Sequence, residues 1–297
     1  MIKVPDKKQL DKILDSNSEI YNWVKKGEEL HTKKTICLFC DNNIKPERIE
    51  YLSEFFNSEA SNAKNRLGRW WTVLLPTFQA LVYGLIFGVL MGANRPENYI
   101  PFLFTGVFLF SFMAGAFGAG AGSVTGNLGL VRSLSFPRML LPIQATIQQI
   151  FNLLPQLGLM LVTWVAFAQP ITWKWLLLIP ITLLMVMFST GLALVSARLT
   201  VHIQDLAKLI PFVVRITFYV SGIFFSMETV LKDYPLAFQI SQYNPVYIFV
   251  SLARGAGVAG YEATPFMWVA ASVWAVATLL IGVVFFWKAE ERYGRED

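Results

Sequence analysis

Two groupings in the chain have residue types and spacing that could do chemistry. His202 and Asp205 lie three apart in SARLTVHIQDLAKLIP, residues 196–211. On one helix they share a face, where the carboxylate could orient the imidazole as a general base, the chemistry of a membrane-embedded transferase. The plainer reading gives Asp205 a hydrogen-bonding, helix-capping or partner-contacting role, because an isolated pair carries little specificity. Cys37 and Cys40 form a single C-x-x-C. Two thiolates are half of a tetrahedral zinc site, so metal would need His31 plus another ligand or a second chain, and reduced, metal-free thiols are the alternative. No H-E-x-x-H or G-x-S-x-G occurs, and no G-x-x-x-x-G-K-[ST] phosphate loop, so no ATP site of that kind is expected in this chain.

The elements that must position these groups are dictated by composition. Of 297 residues, 55% are hydrophobic and 15% charged, with 24 Phe and 9 Trp and a mean hydropathy of +0.48. A water-soluble domain is about a quarter charged, so lipid is the main solvent. Net charge is +5, unevenly placed: residues 1–65 hold 11 Lys/Arg and 11 Asp/Glu, the rest 14 and 9. A polar, neutral head thus precedes a basic membrane body. No apolar run precedes Ile36, so no secretory signal peptide is expected. With its two cysteines close together in the head, the chain has no disulfide framework.

Charges leave uncharged runs at 70–94, 98–131, 139–173, 175–197, 234–253 and 263–287, and a seventh at 209–227 broken only by Arg215. Each can supply the roughly 20 residues that cross about 30 Å of hydrocarbon. The run 234–253 holds Pro235, Gln239, Gln242, Asn244 and Pro245. Such groups are tolerated at membrane depth only when shielded by protein or lining a wet cavity. It reads as re-entrant or interfacial, leaving spans at about 70–93, 99–122, 142–168, 174–197, 209–226 and 264–287. Trp70, Trp71, Trp173, Trp175 and Trp287 fall at their ends, where amphipathic rings sit among headgroups. With the N-terminus inside, ten Lys/Arg collect on the inner side, against Arg95, Lys174, Lys232 and Arg254 outside. That bias places both termini in the cytoplasm.

Within the body, Gly84, Gly88 and Gly92 recur every four residues on the first span, and Gly118 and Gly122 on the second. Small residues on one stripe let another helix approach closely, although glycine is also simply common in membrane helices. The loop 124–141 carries Arg132, Phe136, Pro137 and Arg138. It reads either as a short amphipathic element on the inner face or as an anchored loop whose arginines face lipid phosphate. Arg215, seven residues past Lys208, lies roughly 10 Å into the fifth span. It should face a partner or cavity, or snorkel to the headgroups. Phe104, Phe108 and Phe112 recur every four residues on the second span, and the fifth carries Phe212, Phe218, Tyr219 and Phe224.

Taken in order, RLGRWWTVLLPTFQALVYGLIFGVL, NLGLVRSLSFPRMLLP, HIQDLAKLI, FYVSGIFFS and QYNPVYIFVSLARG resemble the permease subunit of type-2 ABC exporters. The similarity is greatest to those moving lipid-linked polysaccharides such as O-antigen, teichoic acid or galactan, and it covers about residues 57–297. The resemblance implies an all-α integral membrane protein of the bacterial cytoplasmic membrane, with six transmembrane helices and re-entrant helices before the last span. It also implies a permease domain 57–297 behind a small cytoplasmic extension, 1–56. The partners it implies are a second copy of the chain, two ABC ATPase subunits, a lipid-linked glycan and the membrane, with no nucleic acid. Cofactors are none on this chain, ATP and Mg residing on the partner subunit. Arg132, Phe136, Pro137 and Arg138 would couple to the ATPase. Phe104, Phe108, Phe112, Arg215, Phe218 and Tyr219 would line the translocation pathway, the aromatic sides of the second and fifth spans meeting across a dimer.

Two positions depart from the family pattern: Gln204, where Arg is frequent, and Gly222, where Pro is frequent. In the head, residues 47–69 could supply an interfacial helix. Residues 19–56 resemble the zinc-hook-like segment of some large AAA ATPases, with a fused or mis-started leader as the alternative. Drug or lipid export is the same-fold alternative. A secondary transporter is disfavoured, since no paired intramembrane charges or matching broken helices are present.

Overall fold

The computed structural model describes Val24 and residues 59–290, except 91, 93–95, 97, 128, 130, 132–136 and 204, with side chains described from 74 to 288. Cys37, Cys40, Arg132 and Phe136 lie outside the described residues. Two compact units are present, residues 1–71 and 72–297, and the second holds the helical bundle.

Among the described residues every regular element is helical: α1 (Glu59–Leu90), α2 (Tyr99–Thr125), α3 (Leu140–Ala166), α4 (Leu178–His202), α5 (Leu206–Val220), α6 (Met227–Val230), α7 (Pro235–Ser241), α8 (Pro245–Gly257) and α9 (Pro265–Glu290). A 3₁₀ turn, Trp173–Leu177, leads into α4. Four helical stretches among the described residues are long and apolar enough to cross a membrane: Tyr99–Thr125, Leu140–Ala166, Trp173–His202 and Pro265–Lys288. The chain is a multi-pass membrane protein. The other two expected spans are shorter. In α1 the apolar part is Leu74–Leu90, and α5 has 15 residues. Glycine ends α5 early: Gly222 adopts φ +62°, a left-handed conformation that a residue with a Cβ resists and that proline's fixed φ forbids.

The polar run 234–253 does not form one helix. It divides into α7, with Pro235 at its first turn, and α8, whose Pro245 pre-sets the helical φ. Between them Asn244 caps α8, its Oδ1 accepting from the amides of Val246 (3.0 Å) and Tyr247 (3.5 Å). Its amide donates to Ser221 Oγ at 3.1 Å. Thus Asn244, which argues against a span, satisfies backbone groups that hydrocarbon would leave unpaired.

α2 is the central helix, packed by α3, α4, α5 and α8, while α9 lies against α4. Close contact is made where a glycine meets a backbone. A Cβ added at Gly191 would fall 2.3 Å from the Thr278 carbonyl oxygen, and one at Gly120 would fall 2.5 Å from Ala193 Cα. The glycines of the four-residue stripes sit elsewhere. Gly84, Gly88 and Gly92 line a cavity of about 890 Å³ beside Asn98 and Tyr99, and a Cβ on Gly84 would make only ordinary contact with Leu103 and Ile100. At Gly118 and Gly122 an added Cβ meets nothing within 4 Å.

Each end of the bundle is tied by polar contacts. At one end Gln169 donates to Asn98 Oδ1 (3.1 Å) and accepts from the Ala259 amide (2.8 Å), while Asn98 donates to the Ala259 carbonyl (3.1 Å). Three connections are thereby joined in a ring. At the other, Thr200 Oγ1 donates to the Ala121 carbonyl (2.5 Å), and Arg198 donates to the Phe285 carbonyl with its guanidinium 3.8 Å from the Phe285 ring centroid.

Candidate functional site

α5 buries only Ile210 along its length, so most of its surface faces outward or into a gap. A cavity of about 400 Å³ separates it from α2 and α4, lined among others by Phe110, Met113, Phe188, Val213, Thr217 and Asn244. What holds the C-terminal end of α5 is a cluster of rings. Phe224, buried in the turn after α5, contacts Tyr83 (5.0 Å) and Phe87 (4.9 Å) of α1 and Phe218 (4.7 Å) and Tyr219 (5.6 Å) of α5. Phe218 also meets Phe110 of α2 at 4.9 Å. Edge-to-face and offset geometries of this kind add to the burial of the rings.

Behind the cluster stands Arg254 of α8, 3% exposed. It donates from Nη1 to the Gly222 carbonyl (2.9 Å), from Nη2 to the Ile223 carbonyl (3.0 Å) and from Nε to the Phe102 carbonyl (3.2 Å). Its guanidinium lies 3.3 Å from the Phe102 ring centroid. The site therefore joins α1, α2, α5 and α8 at one place, offering aromatic surface and no reactive group.

The residues expected to line a pathway divide. Phe104, Phe108 and Phe112 are buried in the core of the bundle, Phe108 completely. They pack the interior of the bundle, because α2 is covered by four helices. Tyr219 is 50% exposed, Arg215 is exposed one turn before it, and Phe218 is half-buried. Aromatic sides of α2 and α5 meet within the chain, through Phe110 and Phe218.

The expected general-base pair is not assembled on one helix. α4 ends at His202, Ile203 is extended (φ −132°, ψ 93°), and Asp205 precedes α5. His202 Nδ1 sits 3.2 Å from the Arg198 carbonyl, while Asp205 pairs with Lys208 at 2.8 Å, both exposed. The shared face requires an unbroken helix, and the break removes it. In the loop 124–141, Pro137 is exposed and Arg138 half-buried. Among the described residues no group of three or more His, Cys, Asp or Glu gathers as a metal site.

Arg254, a loop charge by its place in the sequence, is instead buried among helices, and the fold corrects the expectation. The available signal was its position: it is the only charge between Asp233 and Glu262, flanked by Ala253 and Gly255. Tyr83 and Phe87 carry no such signal, since rings four apart are ordinary in an apolar helix.

These features define an all-helical, multi-pass membrane protein. The chain belongs to the ABC-2 type transporter family, whose pattern it matches over residues 59–257. Residues 1–78 are similar to an AAA domain. The chain is 28% identical over 228 residues to the O-antigen export system permease protein RfbA of Myxococcus xanthus, covering 75% of this chain and 82% of that one. It is 25% identical over 234 residues to the polysialic acid transport protein KpsM of Escherichia coli, 77% and 88% of the two chains. Over 230 residues it is 22% identical to an RfbA of Klebsiella pneumoniae, 76% and 86%.

Proposed function

We propose that this chain is the membrane-spanning subunit of an ATP-driven exporter that moves a lipid-linked polysaccharide or teichoic-acid-like polymer across the bacterial cytoplasmic membrane. The observation that carries the reading is the family match over residues 59–257, joined to relatives named for O-antigen export and polysialic acid transport. Hydrocarbon bars a hydroxyl-rich polymer, since polar groups without partners are costly there. A protein path and an energy source are both required. The chain has no phosphate loop, so ATP and Mg are assigned to two separate ABC ATPase subunits, bound to two copies of the permease.

In this reading residues 57–297 are the permease and 1–56 an appended segment. α1, α2, α3, Trp173–His202, α5 and α9 are the six spans, and α6, α7 and α8 enter and return from the outer side. Both termini are cytoplasmic; with Arg254 buried, Arg95, Lys174 and Lys232 remain as the outer Lys/Arg residues. Loop 124–141, with Arg132, Phe136, Pro137 and Arg138, contacts the ATPase. Tyr219, Phe218 and Arg215 of α5 face the pathway, where rings offer sugar a sequence-tolerant surface.

The test is isolation of the tagged chain from its own membrane. An ABC ATPase chain should come with it in equal amounts, and detergent-stable ATP hydrolysis should depend on both. Isolation of the permease alone from cells that still export polymer would remove the reading.

A further inference from the structure

A guanidinium buried to 3% exposure is expensive unless it is paired, and packing alone would favour an apolar side chain of similar size. Among the described residues no carboxylate is bonded to Arg254. Its compensation comes from three backbone carbonyls, two of them consecutive in the turn that ends α5, where the helix presents its negative pole. α2 makes room for it: a Cβ on Gly106 would fall 2.8 Å from Nη2. The next residue after the held pair is Phe224, whose ring touches both α1 and α5. Along the rest of α5, one buried residue and a cavity of about 400 Å³ give little to fix its position.

We propose that Arg254 is a positioning residue: by gripping the Gly222 and Ile223 carbonyls it seats Phe224 between α1 and α5 and so sets the spacing of those two helices. The fork matters as well as the charge. Lysine would bring one compact ammonium where two parallel donors are needed. In the export reading this spacing governs how Tyr219 is offered to the polymer, and the inference rests on that reading for its use. The spacing itself is a property of the chain without transport.

The experiment measures spin-label distances in the full chain reconstituted in lipid, with Cys37 and Cys40 replaced and labelled chains diluted into unlabelled ones. One pair is placed at exposed Leu75 of α1 and Val220 of α5, a control pair at exposed Phe151 of α3 and Leu183 of α4. Arg254→Lys and Phe224→Ala should each widen the α1 to α5 distribution, by about twofold, with the double variant no wider than either single one, because the two act in series. Gly106→Ala, which displaces the fork while keeping its charge, should widen it equally. The control pair should not move in any of them. An unchanged α1 to α5 distribution in Arg254→Lys and Gly106→Ala overturns the proposal, as does additive widening in the double variant. Equal widening of the control pair also overturns it, by reducing Arg254 to general stability. Because no transport is read, loss of the export reading would leave these distances standing, and failure here would leave export untouched.

Discussion

The indole of Trp164 fills the space that a side chain at Gly257 would occupy: a Cβ there would fall 1.9 Å from the ring. Its Nε1 donates to Thr105 Oγ1 at 3.0 Å, and Thr105 in turn donates to the Pro101 carbonyl at 2.7 Å. One ring thus fastens α3, α2 and the C-terminus of α8. Gly257→Ala should destabilise the chain by about 1 to 3 kcal/mol or more through overpacking, seen as a lower midpoint of thermal unfolding in detergent. An unchanged midpoint would mean that the ring is free to shift.

Glycines make a second contrast. Gly191→Ala drives a methyl into the Thr278 carbonyl of α9, whereas Gly118→Ala and Gly122→Ala enter open space. The first should lower stability by about 1 to 3 kcal/mol, whereas the other two should leave it unchanged or raise it by up to about 1 kcal/mol, since alanine suits a helix interior better than glycine. If the stripe on α2 serves a second copy, Gly118→Leu should weaken dimerisation in light scattering while the isolated protomer stays folded.

For the rings, Tyr219→Ala should lower polymer export while leaving assembly and basal ATP hydrolysis near normal, because half of that side chain is outside the core. Phe108→Ala should behave oppositely: truncating a fully buried ring costs about 3 to 5 kcal/mol, so the loss appears as poor folding. Normal export by Tyr219→Ala would move the pathway away from α5.

Much of this architecture was legible in the residues. Runs between charges located the helices to within a few residues for α2, α3, α4 and α9, because hydropathy over some 20 positions is a strong signal. Asn244, Pro245 beside it and Pro235 upstream marked 234–253 as something other than one continuous helix, since their hydrogen-bonding limits are local. Which way a ring points was not legible. Phe104 and Phe108 repeat every four residues, a spacing that defines a face but does not say whether helix, lipid or cavity meets it. Likewise the break at Ile203 separates His202 from Asp205, and only the conformation of one residue decides it. Arg254 was hidden for a further reason: its partners are carbonyls, which every residue has.

Orientation can be read by labelling single cysteines in a chain lacking Cys37 and Cys40. Cysteines at Asn98 and Lys232 should react from outside, and those at Ser133 and Lys208 only from inside, as the basic residues dictate. External reaction at Ser133 would invert the topology.

Coupling predicts that Arg138→Glu abolishes ATPase docking and export while insertion is normal, because one reversed charge outside the spans changes an electrostatic match and little else. Docking measured by co-purification and transport measured on the same cells should fall together; retained docking with normal export would leave the loop as a membrane anchor.

The central claim is tested most directly in inverted membrane vesicles that contain this chain, its ATPase and the lipid-linked polymer. With ATP, the polymer should pass into the lumen and become protected from an added glycan-degrading enzyme, and vesicles lacking the chain or given a non-hydrolysable nucleotide should show no protection. Polymer that stays open to the enzyme while the complex hydrolyses ATP would contradict the account.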